Sequence, residues 1–548
     1  MDKHPKGSRA RLLLTSVFGP YAQDDRFGSR SINPMELYHN QVTRAQGSFS
    51  IRMFHRSWGI MMIQANISAP CTVLDFPRRE HIERELTQNH YDIVGISSIT
   101  VNVGKVIEMC RMVRDLSPRS IIIVGGHVTS LPNLSEMIDA DHIVRGEGIF
   151  WMRQYLGEDP SAPICHPSIV SGLQTRVMGI RLPERKGATA ATIIPSVGCP
   201  IGCNFCTTSA FFGGKGKFVN FYQTGDELFE VMCKVEAELR VHSFFVMDEN
   251  FLLYRPRALR LLERMKAAGK SWEFSVFSSA NAIRKYTMQE LVELGVSWVW
   301  LGLESRHSSY SKLHGTDTKQ LARALRENGI RVQGSTIIGL EHHTPDNLRS
   351  EIEDAVDHRT DFHQFMLYTP TPGTELYRQM AAEGRILQVD PADVHGQFKF
   401  NFRHAAIARD DSKTFLDWAF QRDFEVNGPS LYRMCETMFN GWQRYKDYPD
   451  ARVRERFARQ IGKVSTAYSG ALWVMEREFR KANRTVAERI HSLRKRIETE
   501  FPLAARLAAS LLGPVMFWTS WRENKRLTAG YTYEPPTIVE RRNWAVTS

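Results

Sequence analysis

The spacing of apolar positions changes character along the 548-residue chain, and each change marks a different kind of element. Arg11–Phe18 (Arg-Leu-Leu-Leu-Thr-Ser-Val-Phe) is a short apolar run and predicts a first strand. Residues 19–70 show no clear period and read as a long decorated loop, a kind of segment that is usually functional. From residue 71 the pattern becomes regular. Thr72–Asp75, Asp92–Ser98, Ser120–His127 and Asp141–Gly148 are apolar runs, the last three with Ser or Gly near their carboxyl ends, and 78–90 and 103–116 between them repeat every three to four positions. Strands alternating with helices of these lengths predict a parallel, doubly wound sheet. Ligands of such sheets bind beyond the carboxyl ends of the strands. Ser97, Ser98, Gly125, Gly126, Glu147 and Gly148 fall at those ends, although any one of the glycines there can equally serve only a tight turn.

A second alternating series follows. Thr192–Gly198, Ser243–Asn250, Glu273–Ser279, Trp298–Ser305, Arg331–Gly339 and His363–Pro370 read as strands, with helical patterns at 224–239, 256–268, 287–294, 318–328 and 345–357. Six βα units predict a partial (β/α)6 barrel whose strand-end polar residues share one rim. Residues 157–187, with Pro160, Pro163, Pro167 and Pro183, read as a linker. The pattern beyond residue 400 is helical throughout: 410–424, 431–445, 451–480 and 486–498, then an apolar run from Phe501 to Trp521. The expected architecture is α/β: a Rossmann-like domain over 1–156, the linker, a barrel over 188–400 and a helical extension over 401–548.

Chemistry concentrates at Cys199-Pro-Ile-Gly-Cys203-Asn-Phe-Cys206, directly after the first barrel strand. Three thiolates on one short loop suit three irons of a [4Fe–4S] cluster and leave the fourth iron open, a departure from the usual four-cysteine set. A structural zinc site calls for a fourth ligand and C-x2-C pairs, and no second pair lies nearby. A disulfide framework calls for a cysteine-dense secreted chain, and eight cysteines in 548 residues are too few. Chance clustering of buried thiols is the remaining alternative.

Charge adds one feature. The net charge is +11, and residues 441–500 carry 15 Lys/Arg against 8 Asp/Glu. Such a stretch suits an anionic surface or is simply a solvated helical face. The Phe501–Trp521 run contains Arg506 and an expected break at Gly513-Pro514 and is followed by Arg522, Lys525 and Arg526. It is not read as spanning a bilayer. A helix lying in a membrane interface and a helix packed on the barrel or on a second copy are both open. The polar Met1–Ala10 segment carries no signal-peptide pattern, so the expected compartment is the reducing cytoplasm, with peripheral attachment to the inner face of the membrane if the interfacial reading holds.

The order Val94-Gly-Ile-Ser-Ser98, Val124-Gly-Gly-His127, Arg145-Gly-Glu-Gly148, followed by the cysteine triplet and the barrel, resembles the branch of the radical S-adenosylmethionine (SAM) superfamily that carries a cobalamin (B12)-binding domain. The resemblance implies that Cys199, Cys203 and Cys206 hold the cluster. It implies that Phe205 lies near the adenine of SAM and that Asp248-Glu249-Asn250 stands in place of the motif that holds the methionine amine. Ser278 or Ser279 would make a polar contact, Glu304 would hold the ribose, and the strand through Gly339 would pass the adenine. Ser97, Ser98, Gly125, Gly126, Glu147 and Gly148 would cradle cobalamin. The Asp-x-His-x-x-Gly signature for a histidine on cobalt is absent; Ser98-Ile-Thr-Val-Asn-Val-Gly104 occupies that region.

What the resemblance implies for activity is reductive SAM cleavage to a 5′-deoxyadenosyl radical, then methylation of, or C–C bond formation at, an unactivated carbon. An electron donor such as flavodoxin or ferredoxin would serve the cluster. The layout, including Asn33-Pro-Met-Glu-Leu-Tyr-His39 and the basic C-terminal helices, is similar to a lipid-biosynthesis group within the family, so the expected substrate is a small molecule or a lipid. The competing expectations are a cobalamin-independent radical SAM enzyme on a non-lipid substrate and a cluster-bearing sensor or nucleic-acid binder. The last lacks an aromatic-interleaved basic surface, so nucleic acid is not expected as a partner.

Overall fold

The computed structural model describes residues 2–21, 25–27, 41–307, 310, 313 and 316–544. The Asn33–His39 motif lies outside the described residues. Two parallel sheets organise the chain. The N-terminal sheet runs in the order Ile538–Arg542, Cys71–Asp75, Leu12–Ser16, Ile93–Ser97, Ile121–Gly125, His142–Val144. Its five N-terminal strands are parallel, and apolar residues such as Leu13, Val94 and Ile122 are fully buried, as expected when helices cover both faces. The second sheet is the barrel: Ala190–Ile193, Ser243–Val246, Glu273–Ser278, Val296–Glu304, Arg331–Ile338 and Phe362–Leu367, all parallel.

Alternation along the barrel strands separates two environments. Phe244, Val246, Phe274 and Val276 are buried against the helices, while Phe245 and Phe277, one residue out of step, are half-buried. Phe245, Phe277 and Trp300 lie on successive strands with ring centroids 5.7 and 4.8 Å apart, Phe277 directly opposite Trp300 in register. The capping boxes Thr224/Glu227, Thr287/Glu290 and Thr344/Asn347 start three of the covering helices by satisfying their first backbone N–H groups.

The structure departs from the expected elements in four places. The segment 19–70, expected to be irregular, contains the strand Ile51–Phe54 and the helix Trp58–Ala65. Its nearly unbroken apolar run, Trp58-Gly-Ile-Met-Met-Ile63, shows no helical period because the helix is buried on several sides. The 157–187 segment is more than a linker: Ile169–Ser171 adds an antiparallel strand to the barrel edge, and Leu173–Val177 pairs with Ile51–Phe54. The region expected as one helix over 451–480 is two, Ala451–Lys463 and Ser469–Ala482, joined by a π-turn at Val464–Tyr468. The helical extension ends in a strand, Ile538–Arg542, which returns to pair with Cys71–Asp75 and covers the edge of the N-terminal sheet.

The basic tail is used internally to a large extent. Glu476 pairs with Arg480 and Arg494, Lys446 with Glu500, and the buried Arg456 donates to the carbonyl of Val292. Within the tail, Arg433 ties the helix Ser430–Tyr445 to the helix Arg409–Asn427 by donating to Asp423 through both terminal nitrogens, and it reaches the barrel by donating to the Thr360 carbonyl at 2.8 Å. Both side chains of the Arg433–Asp423 pair are nearly inaccessible, at 3% and 6%. Replacing Asp423 by Ala strands a buried guanidinium and is expected to cost about 3 kcal/mol, read as a lower denaturant midpoint of the apoprotein. An unchanged midpoint would show that this pair does not hold the tail.

Candidate cofactor and substrate cavity

The cysteine loop is shaped by two glycines. Gly198 (φ 88°) and Gly202 (φ 68°) adopt left-handed backbone, and a Cβ on Gly202 would fall 2.4 Å from the Lys215 backbone. After the last cysteine a short helix begins, Thr207–Phe211, with the Cys206 sulfur accepting from the Ser209 N–H at 3.4 Å. The Ser209 hydroxyl donates to the Cys199 carbonyl at 2.8 Å, which fastens both ends of the loop together. None of the cysteines is in a disulfide. Burial pushes the Cys199 thiol up to about 11, and the neighbouring Cys206, Cys203 and Glu249 add to the shift. Three half-buried thiols that repel one another's charge are a donor set that a cationic metal cluster satisfies.

Glu249 is the second half of this arrangement. It follows the strand Ser243–Val246, accepts from the Gly198 backbone, and has one carboxylate oxygen buried with no hydrogen-bond partner. Burial, with Asp248 nearby, raises it to about 8. Between the ordinary carboxylate range and pH 8 the folded chain keeps a proton that the unfolded chain has lost, so this group lowers stability as pH rises through that window. An ammonium placed against Glu249 removes that penalty, and the amine of SAM is such a group. Glu304, at the end of Val296–Glu304, is buried in a left-handed conformation (φ 57°) beside a β-bulge, a strained geometry typical of functional positions. It shares an electrostatic environment with Tyr310 and Cys203. Phe205 is boxed edge-on by Tyr310 at 5.0 Å and Tyr368 at 6.4 Å. Gly339 (φ 85°) ends Arg331–Ile338, and its N–H donates to His343 Nδ1 at 2.9 Å.

Two of the expected SAM residues are placed differently. Asp248 is committed to a buried ion pair with Arg257 and also accepts from the Asn250 N–H. It therefore orients the strand end rather than presenting a carboxylate to SAM. Ser278 donates to Asn250 Oδ1 at 3.0 Å, and Asn250 also bonds Ser279, so these residues form a brace between adjacent strand ends.

His342, His343 and Glu351 bring their ligating atoms within 4.8 Å of one another. Because His343 Nδ1 accepts from the backbone N–H groups of Gly339 and Leu340, its ring proton lies on Nε2, facing the Ser305 hydroxyl at 3.1 Å. That tautomer opposes a metal at Nε2. The cluster serves instead as a brace behind Glu304 and Gly339, with Ser305 donating to Glu351 at 2.7 Å.

The N-terminal sheet supplies the opposite wall. Ser97, Ser98, Gly125, Gly126, Glu147 and Gly148 line a cavity of about 580 Å³ that is also lined by Val197, Phe245, Met247, Glu249 and Phe277 of the barrel. Gly126 (φ 82°) lies so close to Ser98 that a Cβ would fall 2.4 Å from its carbonyl oxygen. Leu14, Ile60, Gly95, Ile123, Val144 and Met152, from the sheet and the helices Trp58–Ala65 and Gly148–Tyr155, line an apolar slot of this cavity. A lining that combines small Ser and Gly residues with an apolar part fits a flat macrocycle with a tail. Glu147 corrects an expectation: its carboxylate caps the helix Gly148–Tyr155 by accepting from Ile149 and Phe150 N–H, so it shapes the wall and is not a free ligand. No histidine follows Ser98; Ile99 and Asn102 line that part of the cavity.

Sequence reasoning missed the slot and His55. The fully buried His55, held neutral by burial with its pKa near 4, stacks on Phe245 at 5.8 Å and meets Trp58 edge-on, carrying the N-terminal domain onto the barrel lumen. The slot glycine, Gly95, was visible as a lone glycine within an apolar strand, a signal of close approach.

Replacing Gly125 by Phe, where a Cβ meets only ordinary contact, is expected to fill the cavity beside the small Ser and Gly residues. Corrin absorbance after anaerobic loading should be lost while far-UV circular dichroism is unchanged; retained corrin would place cobalamin elsewhere. Glu249→Gln should weaken equilibrium SAM binding to the cluster-loaded protein by about tenfold or more. Unchanged binding in the variant would place the amine of SAM elsewhere.

Comparison with known proteins agrees with this geometry. Residues 193–355 match the family model described as the radical SAM superfamily, and residues 50–149 match the B12 binding domain. A bacteriochlorophyllide d C-12(1)-methyltransferase of Chlorobaculum tepidum is 24% identical over 323 residues, 56% of this chain and 69% of that protein. The hopanoid C-2 methylase of Rhodopseudomonas palustris is 22% identical over 360 residues, 62% of this chain and 64% of that protein. The structure of the radical SAM methyltransferase TsrM from Kitasatospora setae, with cobalamin and a [4Fe–4S] cluster bound, superposes with a TM-score of 0.51 at 15% identity, covering 83% of this chain and all of that one. The chain thus carries a radical SAM superfamily domain over residues 193–355 and a B12-binding domain over residues 50–149.

Proposed function

We propose that this protein methylates an unactivated carbon of a lipid. The observation that carries the proposal is the single cavity shared by Gly126 and Gly148 on one side and Glu249 and Phe277 on the other. When bound, the cluster and SAM supply the radical that activates a C–H bond, and cobalamin supplies the methyl group. The chain's own residues do the rest. Cys199, Cys203 and Cys206 hold the cluster at the rim, Glu249 takes the ammonium of SAM, and Phe205 with Tyr310 and Tyr368 walls its adenine. Ser97, Ser98, Gly125 and Gly126 carry the corrin, and the Phe245–Phe277–Trp300 ladder excludes water from the lumen.

The lipid assignment rests on the lining. Most lining residues on the barrel side are apolar or aromatic, and its charged member, Glu249, is assigned to SAM. Arg56, at the edge, is neutralised by Asp75 and Glu540. An acyl or isoprenoid chain, which offers few polar handles, suits such a wall, and one relative is named a hopanoid methylase. A flat tetrapyrrole is the second reading, favoured by the stacked Phe277 and Trp300 rings, 22° from parallel, and by the bacteriochlorophyllide relatives. The reaction needs a one-electron donor of the flavodoxin or ferredoxin kind, and the proposed place is the cytoplasmic face of a membrane.

Anaerobically reconstituted protein, given methyl-labelled SAM, dithionite and separated lipid and pigment extracts, is expected to place the label in a lipid. Label in the pigment fraction would select the second reading, and SAM cleavage without label in either would contradict both. Cys203→Ala should form no 5′-deoxyadenosine; persistent cleavage would dismantle the cluster assignment.

A further inference from the structure

The helix Pro502–Thr528 has two unlike faces. One is built into the molecule. Ala505, Ala509 and Gly513 are buried, a Cβ on Gly513 would fall 2.9 Å from the Trp473 ring, and Leu512 packs on Gly470 of the helix Ser469–Ala482. Further along, Ser520 bonds Ser48 at 2.6 Å, Asn524 accepts from the Ser48 N–H at 2.9 Å, and Glu523 accepts from the Tyr533 hydroxyl. This packing also explains why Pro514 does not break the helix as its sequence suggests: the turn around it is held from the side.

The other face is bare. Leu503 is 78% exposed, Leu511 68% and Leu507 58%, and Val515, Trp518 and Trp521 are about half exposed. At 3.6 residues per turn these six fall within an arc of roughly 120° and run for about 27 Å. A contiguous exposed apolar patch of this kind marks an interaction site. The helix is long and apolar enough to cross a bilayer by length and composition, but its inner face is fastened along its whole length, so it presents a side and not an end. At its C-terminal end Lys525 lies 3.8 Å from the Trp521 ring centroid and Arg522 5.5 Å from that of Trp518.

Charge decides what covers the face. The helix carries Arg506, Arg522, Lys525 and Arg526, and its only acidic residue, Glu523, is buried and bonded to Tyr533. A second copy would set these cations against one another with no exposed carboxylate on the helix to pair them. An anionic lipid surface accepts both halves of the pattern, apolar side chains into the acyl boundary and cations among the headgroups. We propose that the exposed side of Pro502–Thr528 is a monotopic docking face for an anionic bilayer, lying in the interface plane. The proposal gives the lipid reading above its point of delivery, yet it stands on this helix alone.

The test is co-sedimentation of the holoenzyme with phosphatidylcholine vesicles, either pure or containing about one-third phosphatidylglycerol, with light scattering of the protein alone. Wild type should sediment with the anionic vesicles, less so as salt rises. Leu507→Glu/Leu511→Glu should weaken binding more than about tenfold. Arg522→Glu/Lys525→Glu should remove the preference for phosphatidylglycerol, and both variants should cleave SAM as wild type does. Unchanged sedimentation of the Leu507→Glu/Leu511→Glu protein overturns the proposal. So does a wild-type dimer that this variant turns into a monomer without any vesicle binding. Docking together with failure to label any lipid would leave this proposal standing and remove the lipid substrate.

Discussion

Two parallel sheets facing each other through their carboxyl ends are the constraint on which this molecule depends. In a parallel sheet the side chains just beyond the strand ends are the ones left without a covering helix. Here the ends of Ile93–Ser97, Ile121–Gly125 and His142–Val144 open on the same cavity as the end of Ser243–Val246 and as Val197 and Thr208, which flank the cysteine loop. The additions to each sheet serve this opposition. Ile169–Ser171 extends the barrel toward the N-terminal domain, Leu173–Val177 pairs with Ile51–Phe54, and His55 rests on Phe245. The chain's far end returns as Ile538–Arg542 to close the first sheet's edge. The parts are interleaved rather than strung in order.

Buried charge is handled in two ways, and the difference separates scaffold from site. Asp248 with Arg257, Asp423 with Arg433 and Glu476 with Arg494 are paired inside the protein. Each pair is costly to break and holds elements together. Glu249 has no cationic partner among the described residues and keeps an oxygen without a hydrogen bond, and burial raises its pKa to about 8. A group left in that condition beside three thiols is prepared for a ligand that brings positive charge. Glu304 shows the same preparation in its backbone, since a glutamate in left-handed conformation is retained only where the surroundings impose it.

Much of this was legible in the sequence. Strand–helix alternation predicted both sheets, and C-x3-C-x2-C marked the cluster loop without any tertiary information. Glycines at strand ends pointed to a ligand surface there, and Gly125, Gly126 and Gly148 line the cavity. The failures have physical causes. Asp248 and Glu249 are adjacent, and only the position of Arg257 on the following helix decides which of them is consumed by the scaffold. Glu147 is a helix cap because a helix begins at Gly148, a boundary that a short strand-end motif does not announce. The helix Trp58–Ala65 and the strand Ile538–Arg542 draw their stability from partners hundreds of residues away or from burial on several sides, which no local period encodes. Pro514 and Gly513 signalled a break that packing on Trp473 overrides.

The central claim is that cobalamin and the iron–sulfur cluster open on one cavity, with substrate between them. It is tested most directly by electron paramagnetic resonance of the protein loaded with both cofactors, with cobalt as Co(II) and the cluster reduced. The Co(II) signal is predicted to be broadened and to relax faster through dipolar coupling to the cluster, and the effect should disappear in protein loaded with cobalamin alone. A spectrum equal to the sum of the two separately loaded proteins would contradict the claim.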